Sequence, residues 1–140
     1  MEPISIASLF SALRDGEMTD LVQQGSDLQF KVVLPKLAGL RIEGSHHFLC
    51  ALADVRELSL QPFRNESTEI KDLKQIGKLQ LRIERGEATS GQQIKVFCSH
   101  RAGGEARLSF KAALFSVWDE RFDVVTVADL GILRGQAAGK

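Results

Sequence analysis

The 140-residue chain has no tyrosine, only one tryptophan and no excess of either charge. Eighteen basic residues balance 18 acidic ones, so the formal net charge is zero. This balance argues against a nucleic-acid partner, because proteins that neutralise many phosphates carry a basic excess. No apolar run is long enough for a membrane-spanning helix, and we expect no membrane partner. Met1 to Ile4 lacks the basic and apolar regions of a secretory signal, so we expect a cytoplasmic protein.

Cysteine is also scarce, and the two cysteines are too few for a disulfide framework. All histidines and cysteines fall in two short segments, which offer one set of potential zinc ligands: His46, Cys50, Cys98 and His100. Pairing of the two segments as strands would bring this set together. The set lacks the close Cys-x(2–4)-Cys spacing of structural zinc sites. We therefore predict reduced core cysteines and no cofactor, with the zinc site as a weaker alternative.

What the chain does contain is alternation of apolar and polar residues. Between Leu79 and Ala112, apolar residues occupy every second position in three runs that are separated by glycine-containing turns. This period of two is typical of antiparallel strands with one buried face. Similar runs at residues 28–34 and 48–52 predict further strands, and a slip of phase near Asp54 indicates a bulge or kink.

Helical spacing is clearest at the start of the chain. Ile6, Leu9, Phe10 and Leu13 follow Pro3 at the intervals of one helix face, which predicts an N-terminal helix with these four residues buried. Weaker patterns predict a short helical piece at Glu17–Gln24 and a weak strand at Leu37–Ile42. Within Asn65–Lys78 they favour a short helix, capped by Asn65 or Ser67, over an edge strand. Towards the end of the chain they predict a short strand through Phe122, Val124 and Val125 and a last helical turn from Thr126 and Asp129 to Leu133.

These elements predict a mostly β fold, α+β by count. We expect an antiparallel meander of six to eight strands that forms a small sandwich or partly open barrel, with the N-terminal helix packed on it and a short C-terminal helical turn. Residues 1–134 would form a single domain and residues 135–140 a flexible tail. In this layout the chain is similar to small bacterial accessory domains, including some immunity-type proteins that neutralise toxins. The resemblance concerns size and pattern, and it carries over no functional residue.

Acidic residues are concentrated in two places. Met1 to Asp27 contains five acidic residues against Arg14 alone, and residues 118–123 place three carboxylates beside the only tryptophan. Paired carboxylates can share acid and base roles. Adjacent Asp119 and Glu120 would point in different directions, however, so we predict an acidic turn with Trp118 and Phe122 anchored in the core.

No catalytic constellation stands out, so we predict a small soluble accessory or interaction domain that is not an enzyme. Its partner would be another protein that binds an acidic surface. The candidate binding residues are Glu17, Asp20, Trp118, Asp119, Glu120 and Asp123. The alternatives are a small-molecule-binding β domain with an apolar cavity between sheet and helix, or metal-dependent chemistry at the histidine and cysteine cluster.

Overall fold

The structure, a computed structural model, describes residues 1–62, 69–101 and 103–139, which contain eight strands and four α-helices. In chain order the elements are α1 (Pro3–Ala12), β1 (Glu17–Gln24), β2 (Asp27–Val33), α2 (Pro35–Arg41), β3 (His47–Ala53), β4 (Arg56–Pro62), α3 (Leu73–Lys78), β5 (Leu81–Ala88), β6 (Ile94–His100), β7 (Glu105–Lys111), β8 (Leu114–Trp118) and α4 (Val127–Ala138). The predicted fold class is confirmed: the protein is mostly antiparallel β, with a helix at each end.

All eight strands form one open antiparallel sheet in the order β4-β7-β6-β5-β1-β2-β3-β8. The chain turns a corner between β3 and β4 at Asp54, which has a φ of 54°, so the predicted kink near this residue is confirmed. The link from β7 to β8 runs beside the corner, where the Ala113 N–H donates to the Ala53 carbonyl oxygen (2.9 Å). The sheet therefore bends into two halves: β4, β7, β6 and β5 on one side, and β1, β2, β3 and β8 on the other.

Helix α1 packs against β5, and its Phe10 side chain fills the space enclosed by the bent sheet. The Phe10 ring stacks on Phe115 with 4.3 Å between centroids, and it also contacts Phe30 and Phe110. Ile6, Leu9, Phe10 and Leu13 are all buried, as their spacing predicts. Aromatic packing of this kind adds to the free energy of apolar burial.

The helical prediction for Glu17–Gln24 is wrong, because this segment is strand β1. A bulge between Thr19 and Val22 places two residues, Asp20 and Leu21, opposite the single residue Phe30. Because of the extra residue, successive side chains of β1 that face the core are three residues apart at the bulge instead of two. A spacing of three residues is also typical of one face of a helix.

The strand prediction for Leu37–Ile42 is also wrong, because Pro35–Arg41 forms helix α2. Pro35 ends strand β2, as predicted, but it also occupies the first turn of the following helix. Proline suits this position because its fixed φ is helical and its missing N–H needs no partner there.

The two later helices agree with their patterns more closely. Helix α3 begins after Asp72, whose carboxylate accepts the Lys74 N–H (3.0 Å), whereas the predicted caps Asn65 and Ser67 lie outside the described residues. Helix α4 begins with the predicted capping box, formed by Thr126 and Asp129. It continues to Ala138, so residues 135–138, where we expected a tail, are helical. In the described residues, none of the helices combines the length and apolar character needed to cross a bilayer.

Candidate functional site

The outer face of the β1-β2-β3-β8 half carries an apolar groove of about 660 Å³. Lys31, Leu49 and Trp118 occupy matching positions on β2, β3 and β8, so their side chains share one face of the sheet. Val22, Ala51 and Phe122 also line this depression, which we call the outer groove. Its volume is within the usual range for binding pockets.

One wall of the outer groove is a tight turn at residues 119–123, which follows β8. The Phe122 N–H donates to the Asp119 carbonyl oxygen (3.0 Å), and the Asp119 N–H donates to the Asp123 carbonyl oxygen (2.9 Å). Phe122 has a φ of 64°, in the left-handed region that three-residue hairpin loops usually fill with glycine. Its side chain is 72% exposed, so this turn displays an aromatic ring to solvent.

The buried carboxylate of Asp119 holds this turn in place. One oxygen accepts the N–H groups of Arg121 (2.9 Å) and Asp123 (3.0 Å), and the other accepts Arg41 Nε (2.8 Å). Burial alone would raise the pKa of Asp119, but the hydrogen bonds from Arg41, Asp123 and Arg121 lower the pKa below its ordinary value. The charged form of Asp119 is therefore part of the folded turn.

Arg41 connects this turn to two helices. It lies at the end of α2, its Nη2 donates to the Val124 carbonyl oxygen (3.2 Å), and its Nη1 lies 3.9 Å from Asp129 Oδ2. Asp129 belongs to the capping box of α4, and its pKa is lowered mainly by the hydrogen bonds with Thr126. We call Arg41 and Asp119 together the turn clamp, since they tie the turn to α2 and α4.

Charged side chains surround the apolar centre of the outer groove. Asp20 lies 3.5 Å from Lys31 at one side, and both residues are partly exposed. Glu120 lies in the turn, where its carboxylate is 3.1 Å from His47 Nδ1. Such an arrangement, an apolar centre with a polar rim, is typical of protein interfaces.

The structure brings together only some of the candidate residues. Asp20 and Trp118 line the outer groove, and Glu120 and the exposed Asp123 belong to its turn. Asp119 is buried beneath that turn. Glu17 lines a different cleft, beside Arg82.

The prediction that Trp118 and Phe122 are anchored in the core is wrong. Trp118 is half-buried on the outer face, and Phe122 is exposed in the turn, where its backbone is left-handed. The predicted short strand through Phe122, Val124 and Val125 is likewise wrong, since Val124 forms only an isolated bridge with Trp118.

Sequence reasoning missed the groove itself, although one signal was present. Residues 48–53 are apolar at six consecutive positions, and a run of this kind indicates a strand that is apolar on both faces. Phe48, Cys50 and Leu52 face the core, and Leu49 and Ala51 face the groove. No local signal pointed to Arg41, whose partner Asp119 is 78 residues away.

The histidine and cysteine residues do not form the alternative zinc site. Strands β3 and β6 are separated in the sheet by β2, β1 and β5, so Cys50 and Cys98 do not lie on paired strands. Both cysteines are buried and unbonded, as predicted; burial raises the pKa of Cys50, and burial together with Glu84 raises that of Cys98 to about 12. Within the described ranges, no three His, Cys, Asp or Glu side chains converge as metal ligands.

The space between sheet and helix is filled by the phenylalanine side chains around Phe10. The predicted apolar ligand cavity at that place is therefore occupied by the core. Comparison with known proteins adds no assignment, because no family model, curated protein or solved structure matches this chain.

Proposed function

We propose that this protein is a non-enzymatic interaction domain whose outer groove binds a protein segment with an apolar anchor beside basic residues. The observation that carries the proposal is Phe122, which combines a positive φ with an exposed aromatic ring. A left-handed backbone costs a non-glycine residue roughly 1–2 kcal/mol. The turn needs a left-handed residue at this position, but an exposed phenylalanine in place of glycine does not help the fold, so a binding role explains the choice of residue.

The groove offers the contacts that protein interfaces use most. Trp118 forms part of its floor, Leu49 and Ala51 extend the apolar area, and Phe122 forms one side. Tryptophan and other large aromatic residues are enriched among the side chains that dominate interface energetics. Val22 and Val124 enlarge the exposed apolar area, with exposed fractions of 48% and 64%. An aliphatic or aromatic side chain of a partner would therefore fit here.

The carboxylates at the rim of the outer groove favour a partner in which a basic residue lies next to the apolar anchor. Asp20 lines the groove and Glu120 lies in the turn beside it, with side-chain exposures of 67% and 37%. Lys31 and His47 already contact them, but each carboxylate keeps an exposed side. A lysine or arginine in the partner could reach these oxygens, mainly increasing the association rate.

The turn clamp makes the binding surface rigid before a partner arrives. Asp119 accepts three hydrogen bonds, so the position of Phe122 is set without any ligand. Preorganisation reduces the entropy lost on binding. An aromatic side chain on a backbone held in this way is therefore a better anchor than one on a mobile loop.

Recognition through side chains is favoured over addition of a strand to β8. Along the outer edge of β8, the Phe115 N–H donates to Met1 Sδ (3.3 Å), and the Val117 carbonyl oxygen accepts the Val125 N–H (2.8 Å). Strand addition needs free backbone groups along an edge. These two contacts already occupy part of that edge.

The proposal is tested by selecting peptides from a displayed random library on the intact protein. Trp118 is the only tryptophan, so its emission reports occupancy of the groove. We expect selected peptides to carry an apolar residue next to lysine or arginine and to shift this emission to shorter wavelength. The Phe122→Gly variant should bind them roughly tenfold more weakly, equivalent to one interface anchor.

The matched control is Ile132→Ser, which removes an apolar side chain of 61% exposure from α4, outside the groove. It should bind the peptides as the unmodified protein does. The proposal fails if no peptide is enriched, or if Phe122→Gly binds as well as the unmodified protein. It also fails if Trp118 emission shifts with protein concentration alone and light scattering shows a dimer, because the groove would then hold a second copy.

A further inference from the structure

A second cleft, of about 520 Å³, opens where β1 separates from β5. The two strands pair at a single position, Glu17 with Arg82, and then diverge. The Arg82 and Ser99 side chains share one face because these residues are paired on β5 and β6. We call this depression the basic cleft, and Gln80, His100 and Arg101 complete its wall.

Two arginines and one glutamate line this cleft. Arg82 and Arg101 are exposed, and within the described residues neither forms an ion pair, although Arg82 is the register partner of Glu17. Glu105 is paired with Ser99, so its side chain lies on the same face beside the cleft, although it does not line the cleft. Guanidinium groups bind oxyanions through paired N–H donors, and Ser99 adds a hydroxyl donor.

The position of Arg101 is fixed by the cleft itself. Its Nη1 donates to Gln80 Oε1 (3.1 Å), and its backbone N–H donates to the Leu79 carbonyl oxygen (3.3 Å). Gln80 has a φ of 51°, an uncommon conformation for a residue other than glycine. The exposed guanidinium of Arg101 is thus held at the cleft by its hydrogen bond to Gln80.

His100 follows Ser99 on β6 and is paired with the buried Leu81, so its side chain leaves the strand on the face opposite to Arg82 and Ser99. Its Nδ1 is buried and has no hydrogen-bond partner in the described part of the chain. The polar contacts available to a ligand in the cleft therefore come from Arg82, Arg101 and Ser99.

We propose that the basic cleft binds a small phosphorylated molecule, with Arg82, Arg101 and Ser99 on the phosphate. Glu17, at the other side, would accept a hydrogen bond from a hydroxyl or amino group of the same ligand. The combination of cationic and acidic groups favours a phosphate monoester of a polar molecule over a simple carboxylate. This site is separate from the outer groove and does not depend on the proposed function.

The test is a calorimetric titration of the intact protein with glucose 6-phosphate, inorganic phosphate and citrate. We expect saturable binding of glucose 6-phosphate, tighter than that of the other two. Arg82→Gln and Arg101→Gln should each weaken this binding roughly tenfold, as expected for loss of a charge-assisted pair. Both arginines are exposed, so the variants should stay folded, which circular dichroism would check.

The control is Lys95→Gln, which removes the same charge from β6 at a residue that lines neither cleft. It should leave the affinity unchanged. Equal weakening by Lys95→Gln would indicate unspecific charge attraction and overturn the proposal. So would the absence of saturable binding, or citrate binding as tightly as glucose 6-phosphate.

Discussion

Among single residues, Phe122 is one of several non-glycine residues with a positive φ, and it is the one that also exposes a large aromatic ring. Glycine at this position would remove the strain of the left-handed backbone, which costs the folded state roughly 1–2 kcal/mol. Glycine would also make the unfolded chain more flexible, which lowers the stability by roughly 0.5–1 kcal/mol. The ring is 72% exposed, so removing it costs little burial. We therefore expect Phe122→Gly to unfold at an equal or slightly higher denaturant concentration than the unmodified protein.

Urea denaturation checks this expectation, with Phe122→Ala as the matched variant that loses the ring but keeps the strain. Its stability should fall no more than about 1 kcal/mol, the scale of a surface change. A larger loss in both variants would show that the ring packs against the protein and is not held for a partner.

Asp119 should make the stability of the protein depend on pH. Its folded-state pKa is lowered, so its contribution is fully present above the ordinary carboxyl pKa of about 3.9 and is lost as the pH falls through the lower folded value. At pH 7 we expect Asp119→Asn to be less stable by about 1.5–3 kcal/mol, the range for hydrogen bonds to a charged group. Denaturation at several pH values should show this difference shrinking below pH 4.

Asp129 also has a lowered pKa, but this residue is present in both the unmodified protein and the Asp119→Asn variant. The difference between them therefore isolates Asp119. A difference that stays constant from pH 7 to pH 3 would contradict the role of the charged carboxylate in the turn clamp.

Among the elements, those with regular spacing were predictable. The alternation in β5, β6 and β7 and the helical spacing of α1 depend on local residues, and the structure follows them. The bulge in β1 was not predictable from the local sequence, because a bulge is defined by strand pairing. Asp20 and Leu21 of β1 both lie opposite Phe30 of β2. Helix α2 was not predicted because Pro35 was interpreted only as the end of strand β2. Proline is also common in the first turn of a helix, and Pro35 occupies that position in α2.

The contact between α1 and β5 depends on the absence of a side chain at Gly86. A Cβ added there would lie 2.5 Å from the Ala7 carbonyl oxygen and 3.0 Å from the Phe10 Cβ. Backbone atoms of a packed helix cannot move aside easily, so Gly86→Ala should destabilise the protein by about 1–3 kcal/mol.

Gly131→Ala is the matched control for this prediction. It lies within α4, and an added Cβ there would have nothing within 4 Å. Alanine is the better helix former, so this variant should gain roughly 0.5–1 kcal/mol. Thermal unfolding of the two variants should therefore shift in opposite directions; a stable Gly86→Ala would mean that α1 can move away from the sheet.

At the scale of the whole molecule, strand order decides where the candidate sites lie. Local alternation identified most strands but not their neighbours, because pairing such as that of β3 with β8 joins residues far apart in the chain. The groove requires Val22 from β1, Leu49 from β3, and Trp118 and Phe122 from β8 and its turn, which are three separate segments of the chain. Of the residues around the groove, the sequence indicated only Asp20, Trp118 and the acidic turn. It did so through their charge and aromatic character, not through their position in the sheet.

The most direct test of the central claim is a map of the surface that a selected peptide covers. Amide chemical-shift changes on binding should centre on Leu49, Ala51, Trp118 and the turn at residues 119–123, and they should be absent from α1 and β6. The same titration with Phe122→Gly should produce weaker changes at these positions. Changes centred on α1, the basic cleft or the β5-β6-β7 face would show that the outer groove is not the binding surface.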